Sequence, residues 1–331
     1  MSTATSQVHQ SPGHKSPGHK SPLLAGTRGS PLALIQARDF LARIRAADPS
    51  LHFDEHIIRT TGDATQAAGT RLADIGGKGL FAKEIHEALA DGRIDFAVHS
   101  LKDLESELPA GIVLGCTLPR EDPREALILA PGHAPPNPVD PYASLPQGAL
   151  IGTASVRRQA QLLHARPDLT TAVLRGNVQT RLEKVAAGGF AASLLAYAGL
   201  IRLGMADRAT VVLPAETMLP AVCQGIVGVT VRASDTDLCD LLLAIEDKES
   251  RAVATAERAL LAALDGSCRT PIAGYARLVP GGELHLRGLV ARPDGSFLLQ
   301  RELSGAAADA ARIGAELGAS LRADSPRDIF A

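Results

Sequence analysis

Two short segments carry residue types that could do chemistry. In DGSCRTPIAG, Asp265 to Gly274, a thiol at Cys268 stands among small turn-forming residues with Arg269 beside it. Gly266, Ser267 and Pro271 favour an ordered surface loop over a helix or a central strand. An adjacent guanidinium favours the nucleophilic thiolate, while a semi-buried structural cysteine stays open as the other reading. In RIDFAVHSLKDLE an apolar strand runs into a loop bearing Lys102 and Asp103. Such an aspartate can be a simple turn or cap residue. Facing a pocket of arginines, an ionised carboxylate has other uses: it can stabilise a cation that develops during reaction, or move a proton.

The arginines come from three helix starts. In TRGSPLALIQ, Ser30 is a good N-cap and Pro31 a good first helical residue, so Arg28 falls just before a helix N-terminus. In IGTASVRRQAQLL, Ser155 caps a helix whose first turn holds Arg157 and Arg158. In LRGNVQTRLEKV, Asn177 is the cap, with Arg175 before it and Arg181 just inside. The helix dipole makes an N-terminus partly positive, so a cation there is disfavoured by roughly 0.3–1 kcal/mol. A bound anion offsets both charges; an outward reach to a surface carboxylate is the alternative. Three junctions with the same anomaly favour the anion, and all three loops follow strands, at the carboxyl ends where open α/β sheets bind ligands. The inferred ligand carries several carboxylates or phosphates.

The elements that must hold these loops alternate. Short apolar stretches (HIIRT, FAVHS, IVLGC, ALILA, ALIGT, TAVLRG, SLLAYA, VGVTVR) are interleaved with amphipathic helices at PLALIQARDFLARIRAAD, GLFAKEIHEALADG, SVRRQAQLLHAR and NVQTRLEKVAAGG. That is the signature of parallel or mixed sheets covered by helices. The Pro-rich run from Ala130 to Gly148 reads as a long connection. After DKESRAVATAERALLAAL come hairpin-like strands with Gly-Gly and Asp-Gly turns and a last helix near AADAARIGAELGASLRA, together a separate α+β unit. The opening SPGHKSPGHKSP has nothing to bury, and a disordered tail is expected there.

Bulk properties narrow the function classes. A chain of 331 residues has room for two or three domains. A net charge of −2, with 3% aromatics and no tryptophan, argues against a nucleic-acid partner, which needs a basic field and stacking rings. No apolar run approaches the roughly 20 residues of a membrane span, and the chain start lacks a secretory pattern, so no membrane partner is expected. Cys116, Cys223, Cys239 and Cys268 are far apart and without zinc-ligand spacing. Free thiols in a reducing cytoplasm, and no metal, are expected.

Nine segments occur in one order: TRGSPLAL, GGKGLFAKE, VHSLKD, REDPREAL, IGTASVRRQAQL, LRGNVQTRL, AGLIRLG, LPAVCQG and TAERALLAALDGSCRTPI. From about Leu24 to the C-terminal helix the chain resembles the porphobilinogen deaminase, or hydroxymethylbilane synthase, family. The resemblance implies an α/β fold: two similar doubly wound mixed-sheet domains, arranged like anion-binding periplasmic proteins, and a smaller C-terminal α+β domain that presents the cysteine loop to their cleft. The expected division is an extension over residues 1–22, a first domain over 23–123 and 226–243, a second over 124–225, and a third over 247–331. The implied activity joins four molecules of the small-molecule substrate porphobilinogen head to tail, with release of ammonia, into a linear tetrapyrrole. A cytoplasmic monomer is expected.

By motif position, Cys268 would carry a dipyrromethane cofactor through a thioether. Lys102, Ser155, Arg157, Arg158 and Arg175 would hold the cofactor's carboxylates, with Ser100, Thr153 and Asn177 beside them. Arg28, Ser30, Arg181 and Arg202 would hold the incoming ring, with Lys78 and Phe81 nearby and Gln224 in the cleft between domains. Asp103 matches the family's catalytic carboxylate. The chain departs from the family pattern at Asp74 (commonly lysine), Ala154 (serine), Ala191 (aspartate) and Cys223 (glycine), and lacks a proline soon after Asp103. Two rivals remain: an anion receptor, which leaves the cysteine loop unexplained, and a cysteine hydrolase, which needs a histidine that nothing places beside Cys268.

Overall fold

The computed structural model describes residues 22–63, 81–133, 137, 140–264 and 270–330. Residues 1–21 of the expected tail, Asp74, Lys78 and Cys268 lie outside the described residues.

The first sheet is built from β1 (Leu23–Thr27), β2 (Phe53–Ile57), β3 (Phe96–Ser100), β4 (Ile112–Thr117) and, much later in the chain, β10 (Val227–Arg232), in the order β2-β1-β3-β10-β4. The second contains β5 (Glu125–Leu129), β6 (Leu150–Gly152), β7 (Thr170–Ala172), β8 (Ala192–Ala196) and β9 (Val211–Leu213), in the order β7-β6-β8-β5-β9. The two orders correspond strand for strand. In each, three parallel strands lie beside one antiparallel strand, β10 or β5, which pairs with both its neighbours.

The helices are α1 (Pro31–Ala47), α2 (Lys83–Ala90), α3 (Val156–Ala165), α4 (Val178–Ala186), α5 (Tyr197–Arg202), α6 (Thr236–Leu243), α7 (Lys248–Ala263) and α8 (Ala310–Asp324). Strand alternation tells why both sheet faces are covered. Phe96 and Val98 share a core with Phe40 and Ile44 of α1 and Leu238 and Leu242 of α6, whereas Ala97 between them packs with Ile85 and Leu89 of α2. In the second sheet, Leu127 packs with Leu162 of α3, and Ala126 and Ile128 pack with Leu182 and Val185 of α4.

The last unit is an antiparallel meander of β11 (Ile272–Leu278), β12 (Glu283–Ala291) and β13 (Leu298–Ala306), packed on α7 and α8. A side chain at Gly314 of α8 would run into the Ala256 carbonyl oxygen of α7, so a glycine there lets the two helices approach closely. No described helix is long and apolar enough to cross a membrane.

Two segments cross between the sheets, one from Thr117 to Glu125 and one from Leu213 to Val227. They bond to each other where the Glu121 amide donates to the Gly225 carbonyl at 3.1 Å. Gly225 has φ +90 and faces the Glu121 backbone with no room for a Cβ. Cys223 has φ 59, left-handed backbone that favours glycine. Fully buried Glu257 of α7 fastens both crossings: it accepts Arg120 Nη1 at 2.6 Å and the Cys223 amide at 2.5 Å.

The structure corrects several strand readings. LLAGT and VVL form β1 and β9, which the apolar-run reading passes over. TAVLRG is extended only as part of Thr170–Ala172, and the strand read at HIIRT is centred earlier, at Phe53–Ile57.

Candidate active site

Loops after β1, β3, β6, β7 and β8 line a cleft of about 620 Å³. Among the described residues seven cationic and two acidic side chains line it. This is the strand-end crevice in which open α/β sheets hold ligands.

The first loop runs as the sequence predicts. Ser30 Oγ accepts the Ala33 amide at 3.3 Å and Pro31 opens α1. Arg28 lies over the Phe81 ring, 4.0 Å from its centroid, and donates to Asp63 Oδ1 at 2.5 Å.

Asp103 is positioned by strand pairing. Ser100 pairs with Val227, and the Leu101 amide donates to the Ile226 carbonyl at 2.9 Å, after which Leu101–Asp103 curl into one 3₁₀ turn. The Ser100 hydroxyl donates to Gln36 Oε1 at 3.0 Å, and Lys102 Nζ donates to Gln224 Oε1 at 3.1 Å across the cleft. Lys102 is exposed to the open cleft, yet the enclosing walls desolvate it and pull its pKa below the ordinary lysine value. Asp103 and Glu125 oppose that shift, and Arg158 and Arg157 add to it.

At the start of α3, Thr153 Oγ1 accepts the Ser155 amide at 3.1 Å and Ser155 Oγ accepts the Arg158 amide at 3.4 Å. Ser155 lines the cleft, but Thr153 is buried behind it and shapes the loop rather than the wall. Arg157 and Arg158 are buried and both bond to Glu125, itself fully buried at the start of β5. Burial pushes the Glu125 carboxyl up, and Arg158, Arg157 and Lys102 outweigh it, holding it well below the usual carboxylate range.

At two of the three helix starts the arginines also have a carboxylate partner within the chain. Asp63 and Glu125 supply one carboxylate each; Glu125 is fully buried and Asp63 partly exposed. The reason is the cost of burying an unpaired guanidinium. The cleft wall still carries a large cationic excess.

At the third start Asn177 Oδ1 accepts the Thr180 amide at 2.9 Å, and Arg181 Nε donates to the Gly176 carbonyl at 2.8 Å. Burial, with Arg158 and Arg175 adding like charge, lowers the Arg181 pKa to about 10. Arg175, buried, lines the cleft, and so does Arg202 at the end of α5, which donates to the Gly225 carbonyl at 2.7 Å. Leu261 and Thr270, on either side of residues 265–269, also line it.

The family model described as "Porphobilinogen deaminase, dipyromethane cofactor binding domain" matches residues 23–240, and the one described as "Porphobilinogen deaminase, C-terminal domain" matches residues 252–323. The chain belongs to the porphobilinogen deaminase family. The porphobilinogen deaminase of Paracoccus denitrificans (strain Pd 1222) is 48% identical to it over 307 residues, covering 92% of this chain and 95% of that one. The chloroplastic porphobilinogen deaminase of Oryza sativa subsp. japonica is 47% identical over 284 residues, 85% of this chain and 77% of that one. Among solved structures, the alkanesulfonate-binding protein SsuA from Xanthomonas axonopodis pv. citri, bound to MOPS, covers 74% of this chain and 75% of its own at 13% identity and a TM-score of 0.38.

In this member of the porphobilinogen deaminase family, sequence reading passes over Gln36, Asp63, Glu125 and Glu257, all of which hold functional loops. Glu125 lies inside the family segment REDPREAL, and a carboxylate opening the otherwise apolar run EALIL was the available signal.

Proposed function

We propose that this chain is a transferase of haem biosynthesis that joins four porphobilinogen molecules head to tail, releasing ammonia at each joining, into the linear tetrapyrrole hydroxymethylbilane. The observation that carries the reading is the placement of Asp103 at a cleft lined, among the described residues, by seven cations. Each pyrrole ring of the substrate brings an acetate and a propionate, so the ligand chemistry matches the wall.

The donor set also fits a dipyrromethane, with its paired carboxylates, in a cleft within the usual size range for ligand sites. Lys102, Ser155, Arg157, Arg158 and Arg175 would hold it. Thr153 braces the loop behind them, Asn177 caps α4 at the cleft wall, and Ser100 fixes the start of the Asp103 turn. Cys268, joined to the adjoining segment that reaches the wall at Thr270, would anchor it through a thioether. When bound, that group supplies the ring carbon to which an incoming pyrrole is joined.

Arg28, Ser30, Arg181 and Arg202 hold the incoming ring by its carboxylates, with Phe81 under Arg28, Lys78 assigned by motif and Gln224 between the two halves of the wall. Loss of ammonia from the substrate's aminomethyl group leaves positive charge on the pyrrole. Asp103 offsets that charge and serves to receive the proton released when the newly joined ring regains its aromaticity. Water ends the sequence by releasing the product. The division into domains at 23–123 with 226–243, 124–225 and 247–331, and a cytoplasmic monomer without nucleic-acid or membrane partners, belong to the same proposal.

The test is incubation of the purified protein with porphobilinogen. Ammonia equal to the porphobilinogen consumed, a linear tetrapyrrole, and an intact mass exceeding the chain by two linked pyrrole units are expected. A chain of bare mass that binds porphobilinogen without releasing ammonia would make the protein an anion receptor instead.

A further inference from the structure

Glu125 stands where the chain has just crossed from the first sheet to the second, fully buried, with both oxygens engaged. Oε1 accepts Arg157 Nη2 at 2.5 Å and Gln224 Nε2 at 3.0 Å. Oε2 accepts Arg158 Nε at 3.0 Å, with Nη2 of the same side chain 2.8 Å away. Each arginine is pinned at a second point by a backbone carbonyl: Leu219 holds Arg157 Nη1 at 2.7 Å, and Leu194 holds Arg158 Nη1 at 2.9 Å. A guanidinium is planar and presents five N–H donors in a fixed fork. Held at two points in its plane, it aims its other donors in set directions, and both arginines line the cleft.

The same carboxylate reaches a third cation through one amide. Gln224, fully buried, donates its NH₂ to Glu125 and to the Pro123 carbonyl, at 3.0 and 2.8 Å, which orients its oxygen toward Lys102 Nζ at 3.1 Å. One buried anion thus organises two arginines and a lysine while leaving a cationic surplus on the cleft side. Its burial keeps Glu125 from reaching into the cleft and competing with a ligand carboxylate.

We propose that Glu125 is a positioning residue that presets Arg157, Arg158 and, through Gln224, Lys102 as a single receptor for ligand carboxylates. The nature of that ligand rests on the proposed function; the preset geometry does not.

The test compares full-length wild type, Glu125→Gln and Glu125→Asp by melting temperature, by the fraction carrying the mass of two linked pyrrole units, and by KM and kcat for porphobilinogen. Glutamine keeps the shape but sets an NH₂ donor against guanidinium donors. A folded Glu125→Gln of mostly bare mass is expected, with KM in any loaded fraction raised by roughly 10- to 100-fold and kcat less affected. Glu125→Asp, with its charge one methylene short, is expected to recover part of the loading. Glu125→Gln that folds, loads and keeps the wild-type KM overturns the proposal. So does failure of both variants to fold, which would make Glu125 a purely structural carboxylate. If Glu125→Gln alone fails to fold, Glu125→Asp decides: full loading and wild-type KM overturn the proposal, and reduced loading supports it. Wild type of bare mass would sink the proposed function. The Glu125 proposal would then be decided by porphobilinogen affinity, and equal affinity in wild type and Glu125→Gln would overturn it.

Discussion

Arg28 Nη1 stands 3.8 Å from Asp103 Oδ2 while the same guanidinium donates to Asp63 Oδ1 at 2.5 Å. Two carboxylates share one cation, and Asp103 is the more loosely held of the two. Its side chain is 35% exposed. Arg28 therefore orients Asp103 without enclosing it, and the carboxylate is available to a ligand in the cleft.

Asp103→Asn keeps the shape and removes the charge. Turnover is expected to fall by about 10²–10³-fold with the fold and the bound cofactor intact, the usual effect of deleting one preorganised electrostatic partner. Asp103→Glu, with the charge displaced by one methylene, should retain more activity than the asparagine variant. Single-turnover ammonia release, read beside melting temperature and intact mass, checks both. An Asp103→Asn protein turning over at the wild-type rate removes Asp103 from the mechanism.

Arg28 and Arg158 are expected to fail differently. Arg158→Leu removes one of the three side chains that hold buried Glu125 and should leave the protein with bare mass. Arg28→Leu frees Asp63 and Asp103 but leaves the Glu125 cluster untouched, so loading should survive and KM should rise. Mass spectra with full loading in both variants would reject this division of labour.

Cys268→Ala is expected to fold, because a small residue is tolerated in a segment that already holds Gly266 and Ser267. It should carry no excess mass and show no activity. A normally active Cys268→Ala protein would remove the thioether.

The buried histidines give a pH dependence of stability. His99 is 7% exposed, bonds Thr230 Oγ1 through Nε2 at 2.9 Å, and has its pKa driven from 6.5 to about 3 by burial, with His86 and Arg28 pushing the same way. The unfolded chain therefore takes the proton first. The contribution is complete above pH 6.5 and is lost as pH falls from there toward about 3, at up to about 1.4 kcal/mol per pH unit for one proton. His86, lowered mainly by burial, acts in the same direction. Melting temperature should drop across that window in wild type and drop less in His99→Gln; equal slopes would exclude His99 as the cause.

The local part of this design is legible in the sequence. The caps of α1, α3 and α4 are Ser30, Ser155 and Asn177, and each accepts the amide three residues on, in Ala33, Arg158 and Thr180. Capping is settled within one turn of chain, so residue type and spacing suffice to place it. The apolar run FAVHS likewise gives β3, and with it the loop that carries Lys102 and Asp103.

What the helix-start arginines bond to is not legible in this way. Arg157 and Arg158 meet a carboxylate 32 and 33 positions before them, and Arg28 meets one 35 positions after it. β1 and β9 are equally hidden: LLAGT holds a glycine and no β-branched apolar residue, and VVL is only three residues long. By itself the sequence determined which segments are helix starts, which loops are cationic, and which family the chain resembles. Only the tertiary structure decided that Glu125 and Asp63 hold those cations and that β10 returns to the first sheet beside Asp103. Charge pairing depends on distance in space, and strand order, which no local pattern encodes, sets that distance.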